Sequence, residues 1–474
     1  MSSLPEKASW LSLLEGRRLL PLGVLVTGIL LHSMNVLLTA TVLPSVVAEV
    51  GGVTVMSWAT TGFLAASIVA ATCTSLVTAT IGARRAYFMG ASIFCAGAIL
   101  CASAPSMYQL VAGRLVQGFG GGFLSALAYV LVRNVFPTYL WARVFALLSG
   151  VWGVSIVVGP LLGGVFAGHS FWRGAFITVA ILAALVAMFA VRALPADVAA
   201  AHAVRPRVPV ARVGLVCLAI VAMSVAGIAE HIGEKVVLLA AAVCALVAML
   251  RLDRRAEKRL MPSDAFSIRS TCGLGLWMVL LMSITYTPMP NFGPLFLQRL
   301  HGYGPLAAGY IVATQSFAWT AAAMITASAS DVWVRRIITC APLLMLIGLC
   351  GIALVLGPGP VLVVIAPVLL VGTGIGSAWA FITQRVMHGA REGEGDVAAA
   401  SVAVVQQSGL AFGAALSGLV ANVAGLAGEV TQADLLNAAF WVPLSFVAAA
   451  GLAFVMGVRL ALVAPRTPKP IAIA

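Results

Sequence analysis

Charge is what this sequence has least of. Lysine, arginine, aspartate and glutamate make up 9% of its 474 residues, where a soluble domain carries about 25%. So few ionic groups cannot cover a water-facing surface, which excludes an ordinary soluble globule. Acid is scarcer than base, at 15 residues against 28. Every acidic residue falls in a loop, a tail or the end of an apolar run, so no carboxylate is expected at mid-membrane. There is no G-x-x-x-x-G-K-[ST] loop, which argues against an ATPase domain on this chain. The eight cysteines form no CxxC pair and no metal-ligand spacing, and all lie in apolar runs as packing residues. No cofactor or metal is expected. Nor is there a nucleophile–base constellation, so an enzyme is not expected either. The first apolar stretch has spanning length and no small-x-small cleavage site, and is read as a retained helix rather than a signal peptide.

Apolar surface, by contrast, is abundant: 61% of residues are hydrophobic and the mean hydropathy is +1.07. Fourteen apolar segments, mostly of about 18–25 residues, predict an all-α polytopic membrane protein. Polar stretches divide it into a tail (1–18), six helices (19–194), linkers around a two-helix insert (195–270), six more helices (271–458) and a second tail (459–474). The insert helices either span fully or form a weakly inserted hairpin; both termini share one side in either case. All 28 basic residues except Arg114, Arg173, Lys235 and Arg299 lie on the side of the termini. By the positive-inside rule both termini are cytoplasmic, in a bacterial-type plasma (inner) membrane. The net charge of +13 is therefore a topology signal, and no nucleic-acid partner is expected.

The two six-helix blocks echo each other. "SLVTATIGARRAYF" follows helix 2, and "ASASDVWVRRIITC" follows the second helix of the second block. Repeated halves with a site between them are a common plan of secondary transporters. With "RLVQGFGGG" in helix 4, "GVWGVSIVVGPLLGG" in helix 5, "LDRRAEKRLMPSDAF" after the insert and "PLFLQRLHGYGPLAAG" later, the chain resembles the major facilitator superfamily. The nearest branch is the fourteen-helix drug:proton antiporter 2 type. The resemblance implies two six-helix halves of the major facilitator fold plus the insert, moving solutes by alternating access. It also implies gating roles for Arg84, Arg85, Asp331, Arg335 and Arg336 in the two short loops. Gly159, Pro160 and Gly163 would act in the helix 5 motif, as a sliding face or as static packing. The first loop departs from the family's G-x-x-x-D-x-x-G-R-R, with Ser75, Ala79 and Gly82 at its Gly, Asp and Gly positions. The second keeps Asp331 but has Val334 for its glycine.

The family's helix 1 pattern, roughly L-D-x-T-x-x-x-x-A-L-P, is altered more. In "LHSMNVLLTATVLP" the aspartate position holds Asn35. His32, Asn35 and Thr39 share a helical face with Gly28, and Arg114 shares one with Gln117 in helix 4. Polar groups in hydrocarbon need partners, and the alternative to a ligand stripe is inter-helical hydrogen-bond glue. In the second block Gln315, Trp319 and Gln406 are the candidate ligand residues, with Trp277, Tyr286, Asn291, Trp379, Gln384 and Gln407 as further polar or aromatic groups.

A cationic cargo wants a buried carboxylate, and none is offered. The sequence therefore points to a neutral or weakly acidic aromatic solute, vitamin-like in the manner of riboflavin, carried by a facilitator or a proton-linked transporter. Protons are a candidate coupling ion through His32, whose side-chain type titrates near neutrality. A multidrug efflux pump of the drug:proton antiporter kind is the alternative, and a ligand-sensing receptor a third reading. The expected partners are the solute and the bilayer, with the protein acting as a monomer.

Overall fold

The computed structural model describes residues 18–137, 140–194, 209–257, 259–327, 329–428 and 430–463. Sixteen α-helices are found among them. In chain order they are α1 (Leu19–Val50), α2 (Trp58–Ile81), α3 (Ala83–Ala102), α4 (Met107–Val135), α5 (Trp141–Gly168) and α6 (Trp172–Ala193). The insert is α7 (Val210–Ile228) and α8 (Ile232–Arg254). There follow α9 (Thr271–Tyr286), α10 (Pro288–Arg299), α11 (Pro305–Thr326), α12 (Asp331–Val355), α13 (Val361–Gly389), α14 (Gly395–Ala421), α15 (Gln432–Leu444) and α16 (Val447–Leu462). Thirteen stretches are long and apolar enough to cross a membrane, with α9–α10 and α15–α16 each counting as one. With α11 the segments number fourteen. Both insert helices, at 19 and 23 residues, meet the length and composition of a span.

The chain divides into two compact units. One runs to Val213 and takes in Tyr303–Ala313; the other comprises Gly214–Gly302 and the chain from Thr314. In the first, α1 is 32 residues long, or about 48 Å at 1.5 Å per residue, beyond a hydrocarbon core of about 30 Å. Pro44 lies within it without breaking it, as membrane helices tolerate where neighbours close in.

Close packing in both units rests on glycines, and the pattern repeats. In the first unit, a Cβ on Gly159 of α5 would meet the Met34 carbonyl at 2.9 Å, and one on Gly163 the Leu38 carbonyl at 2.8 Å. In the second, Cβ atoms on Gly409 and Gly413 of α14 would meet the carbonyls of Leu280 and Ile284, each at 2.8 Å. Gly118 and Gly122 of α4 press onto the carbonyls of Phe63 and Ser67, just as Gly372 and Gly376 of α13 press onto those of Gln315 and Trp319. Small residues at i and i+4 let backbones approach this closely. The same two helix–helix contacts thus build each unit, with α1, α2, α4 and α5 matching α9, α11, α13 and α14.

One segment is broken, between α9 and α10. An unbroken helix would bond the carbonyls of Ile284 and Tyr286 to the amides of residues 288 and 290, but both are proline and donate nothing. The Thr287 hydroxyl takes the Ile284 carbonyl at 2.7 Å instead. Near its end α14 opens into a π-helical turn, Asn422–Leu426, and the Asn422 amide donates to the Gly227 carbonyl of α7 at 3.0 Å. The linker after α8 is held by two carboxylates. Asp253 accepts the amides of Leu260 and Met261 (2.8 and 2.9 Å), and Glu394 accepts the amide and hydroxyl of Ser263 (3.0 and 2.9 Å).

Candidate functional site

In the first unit the polar residues of α1 and α4 meet around one phenylalanine. The His32 ring lies 5.3 Å from that of Phe63 and 6.4 Å, edge-on, from that of Trp152 on α5. The Arg114 guanidinium also lies over the Phe63 ring, 4.1 Å from its centroid. Arg114 is 1% exposed. Its Nε donates to the Ala59 carbonyl at 3.2 Å and its Nη1 to the Gln117 side-chain oxygen at 2.6 Å. All these partners are neutral, and among the described residues no carboxylate touches this cation.

The amides beside it are left open. Gln117 Nε2, His32 Nδ1, Thr61 Oγ1 and both polar atoms of Asn35 are buried without a hydrogen-bond partner. Such an atom costs about 1–3 kcal/mol until something bonds to it. Thr39 differs: its hydroxyl donates to the Asn35 carbonyl of its own helix at 2.7 Å. At the near end of the face, Gly28 lies under Tyr87 of α3, whose hydroxyl donates to the Val24 carbonyl at 3.0 Å. Ser33 and Ser155 pair their hydroxyls between α1 and α5.

This cluster belongs to one unit only. Val368 precedes Gly372 by four residues and Val371 by one, as Arg114 and Gln117 precede Gly118. Met278 and Leu281 stand to Leu280 as His32 and Asn35 stand to Met34. All four are buried and apolar. The scaffold repeats while the polar chemistry does not.

In the second unit Gln315 is buried on α11. Its Nε2 donates to the Tyr286 carbonyl at 2.8 Å, serving the group that Pro290 cannot, and its Oε1 has no partner. The Tyr286 hydroxyl pairs with that of Ser316 at 2.7 Å. The rings of Tyr286 and Trp319 lie 5.2 Å apart, and those of Trp319 and Trp379 5.5 Å. Gln315 and Trp319 are therefore brought together with Tyr286 and Trp379. Gln406 is half-buried on α14, Gln384 is exposed, and Gln407 has a buried, unpartnered oxygen. Trp277 is engaged elsewhere, donating to the Phe266 carbonyl at 2.8 Å.

Of the loop residues, Arg84 reaches the Val191 carbonyl at 3.4 Å and Arg85 is exposed. Arg335 and Arg336 are exposed, with Arg336 lying over Trp333 at 5.1 Å. Asp331 opens α12, but its side chain lies outside the described residues. Pro160, with Gly159 and Gly163, lies buried on α5, and Gly309 of α11 approaches Pro160 and Thr41.

Sequence reasoning missed the partners. Phe63, Trp152 and Tyr87 carry no polar signal in an apolar run. It also placed Glu49 only as a helix-end acid. Glu49 accepts from Trp172 Nε1 at 2.6 Å and pairs with Arg173, which also reaches the Ala104 carbonyl at 3.0 Å. This joins the end of α1 to the start of α6 and the loop after α3.

Comparison with known proteins supplies the rest. The family model described as Major Facilitator Superfamily matches residues 25–414. A protein of Mycobacterium tuberculosis named a probable multidrug-efflux transporter is 37% identical over 460 residues, 94% of this chain and 96% of the relative. A riboflavin transporter of Clostridioides difficile is 23% identical, over 63% of this chain and 64% of its own. Among solved structures, a bacterial homologue of the human lysosomal transporter Spinster, inward-facing and unoccupied, superimposes with a TM-score of 0.67. It shares 13% identity and covers 94% of this chain and 97% of its own.

Proposed function

The chain belongs to the major facilitator superfamily, and we propose that within it this membrane transporter exports small aromatic solutes that are neutral or weakly acidic. It works by alternating access in a bacterial-type inner membrane, both termini cytoplasmic, as the placement of its basic residues supports. Efflux rather than uptake is supported by the near full-length similarity to the mycobacterial relative and its printed name. The cargo class is carried by one observation: the polar cluster of the first unit holds Arg114, His32, Asn35 and Gln117 and no acid. A cationic drug would bring a positive charge beside a buried guanidinium with nothing to offset either, at a cost of several kcal/mol. In the first unit Phe63 and Trp152 offer ring surface to an aromatic solute; in the second, taken by itself, Tyr286 and Trp319 offer ring surface and the open Gln315 oxygen and Gln406 offer polar atoms. The loop arginines, Asp331 and the Gly159–Gly163 face are assigned to gating.

Transport of a vitamin-like heterocycle such as riboflavin is a second reading, supported by the clostridial relative and by the same carboxylate-free cluster. The test is expression in a host stripped of its own pumps, followed by drug susceptibility and accumulation of neutral, acidic and cationic fluorescent compounds. Lower accumulation of the neutral and acidic compounds is expected. Unchanged accumulation of all three classes, with riboflavin uptake restored in an auxotroph, would replace the first reading by the second.

A further inference from the structure

A buried cation normally sits against an anion, because dipoles alone repay little of its desolvation. Arg114 does not. It is surrounded by the Ala59 carbonyl, the Gln117 amide oxygen and the Phe63 ring. His32 touches the same ring and can itself become a cation. Gln117, bonded to Arg114, keeps its Nε2 buried and unpartnered, and so are His32 Nδ1 and, one turn further along α1, Asn35 Nδ2. A cation, two open amide N–H groups, a histidine and two aromatic faces form a receptor for a planar ring bearing an ionised acidic group.

We infer that Arg114 and His32, sharing Phe63, form a counter-ion site for the ionised form of a weakly acidic aromatic solute, and that this cargo and a proton on His32 bind together rather than in competition. The inference rests on the proposed cargo class and sharpens it to one charge state and one sign of coupling. The sign follows from the charges around His32. Arg114 on α4 is the charged group that shares its aromatic partner. The other titratable or charged groups on the helices around it are Cys73 on α2, Tyr87, Cys95 and Cys101 with the terminal Arg84 and Arg85 on α3, Tyr108, Tyr129 and the terminal Arg133 on α4, and Arg143 on α5. Arg173 and Arg192 lie at the ends of α6. Glu49, on α1, lies 17 residues from His32, or about 25 Å along the helix.

A proton on His32 thus places a second positive charge by Arg114. A bound carboxylate is attracted to both charges and neutralises one of them. Each event therefore favours the other, and linkage makes the effect reciprocal. A site built on a carboxylate has the opposite sign, since there a proton and a cationic cargo compete for one negative charge.

The probes are three labelled isosteres, 1-naphthoate, 1-naphthamide and 1-naphthylmethylammonium, with binding to the purified full chain measured by equilibrium dialysis at pH 8 and pH 6. The naphthoate stays ionised at both values. It is expected to bind at least about fivefold more tightly than the amide, and more tightly still at pH 6, while the ammonium binds least. Arg114→Gln should bring the naphthoate down to the level of the amide, and Arg114→Lys should restore part of the preference. His32→Gln should leave the preference at pH 8 and remove the gain at pH 6. Retained amide binding in each variant shows that the protein is folded. Equal binding of naphthoate and amide to the native chain would overturn the inference and leave the aromatic cargo class standing. A naphthoate affinity that falls at pH 6 would overturn the coupling sign. Binding of the ammonium alone would overturn both the inference and the cargo class.

Discussion

The side-chain amide of Gln315 donates to the Tyr286 carbonyl at 2.8 Å, supplying from α11 the hydrogen bond that Pro290 withholds within its own segment. The break between α9 and α10 is thus completed by a neighbour. Gln315→Leu removes this donor and is expected to lower stability by about 1–3 kcal/mol, the cost of an orphaned buried carbonyl. Thermal unfolding of the purified protein reads it. Pro290→Ala returns a backbone N–H, so it should stabilise the Gln315→Leu protein more than it stabilises the native one. Additivity of the two changes would refute the link.

The carboxylate-free cluster makes a contrast at Asn35. Asn35→Asp adds an ionisable group where Asn35 is fully buried, while Asn35→Ala only removes open donors and acceptors. For a neutral or acidic aromatic solute, the aspartate is expected to slow transport more than the alanine does. For a cationic dye the aspartate should be the better of the two. Native-like transport in both variants would reduce this face of α1 to packing.

The repeated glycine contacts predict matched sensitivities. Gly122 and Gly376 press onto the carbonyls of Ser67 and Trp319 in their respective units. Gly122→Val and Gly376→Val should each cost at least about 1–3 kcal/mol as overpacking. Yield of folded protein and its unfolding temperature test this. A benign valine at one site and a disabling one at the other would break the correspondence between the units.

Glu49 is half-exposed, with its salt bridge to Arg173 open to solvent. Glu49→Gln is accordingly expected to lower the unfolding temperature only slightly, with the Trp172 indole still able to donate to the amide oxygen. Glu49→Leu, which loses both bonds, should cost more. A larger loss in Glu49→Gln than in Glu49→Leu would mean that the charge itself matters, rather than the tie between α1 and α6.

Much of the fold was legible because membrane spans are written in composition. The alternation of apolar runs and basic loops pointed to fourteen segments, and the i, i+4 spacing of Gly159 and Gly163 marked a packing face. The break at residue 287 was legible in principle from Pro288 and Pro290, which deny two carbonyls their backbone donors. The cluster was half legible. His32, Asn35, Arg114 and Gln117 stand out because polarity is rare in a span. Phe63 and Trp152 could not be found, since an aromatic ring in an apolar run reads like any other until its neighbours are known. The sequence alone marks Gln315 and Trp319 as candidate ligand residues. Gln315 spends its amide on a proline-broken backbone, a tertiary use that spacing along the chain does not encode.

Arg114 has a consequence in electrical terms. A guanidinium held in a spanning unit without a counter-ion carries its charge into the transmembrane field, where a full crossing is worth about 2.3 kcal/mol per 100 mV. Any step that shifts this unit along the membrane normal is therefore voltage-dependent in the empty carrier, and an anion bound without a proton on His32 cancels that dependence. Transient currents would then belong to the unloaded protein and fade as cargo saturates it.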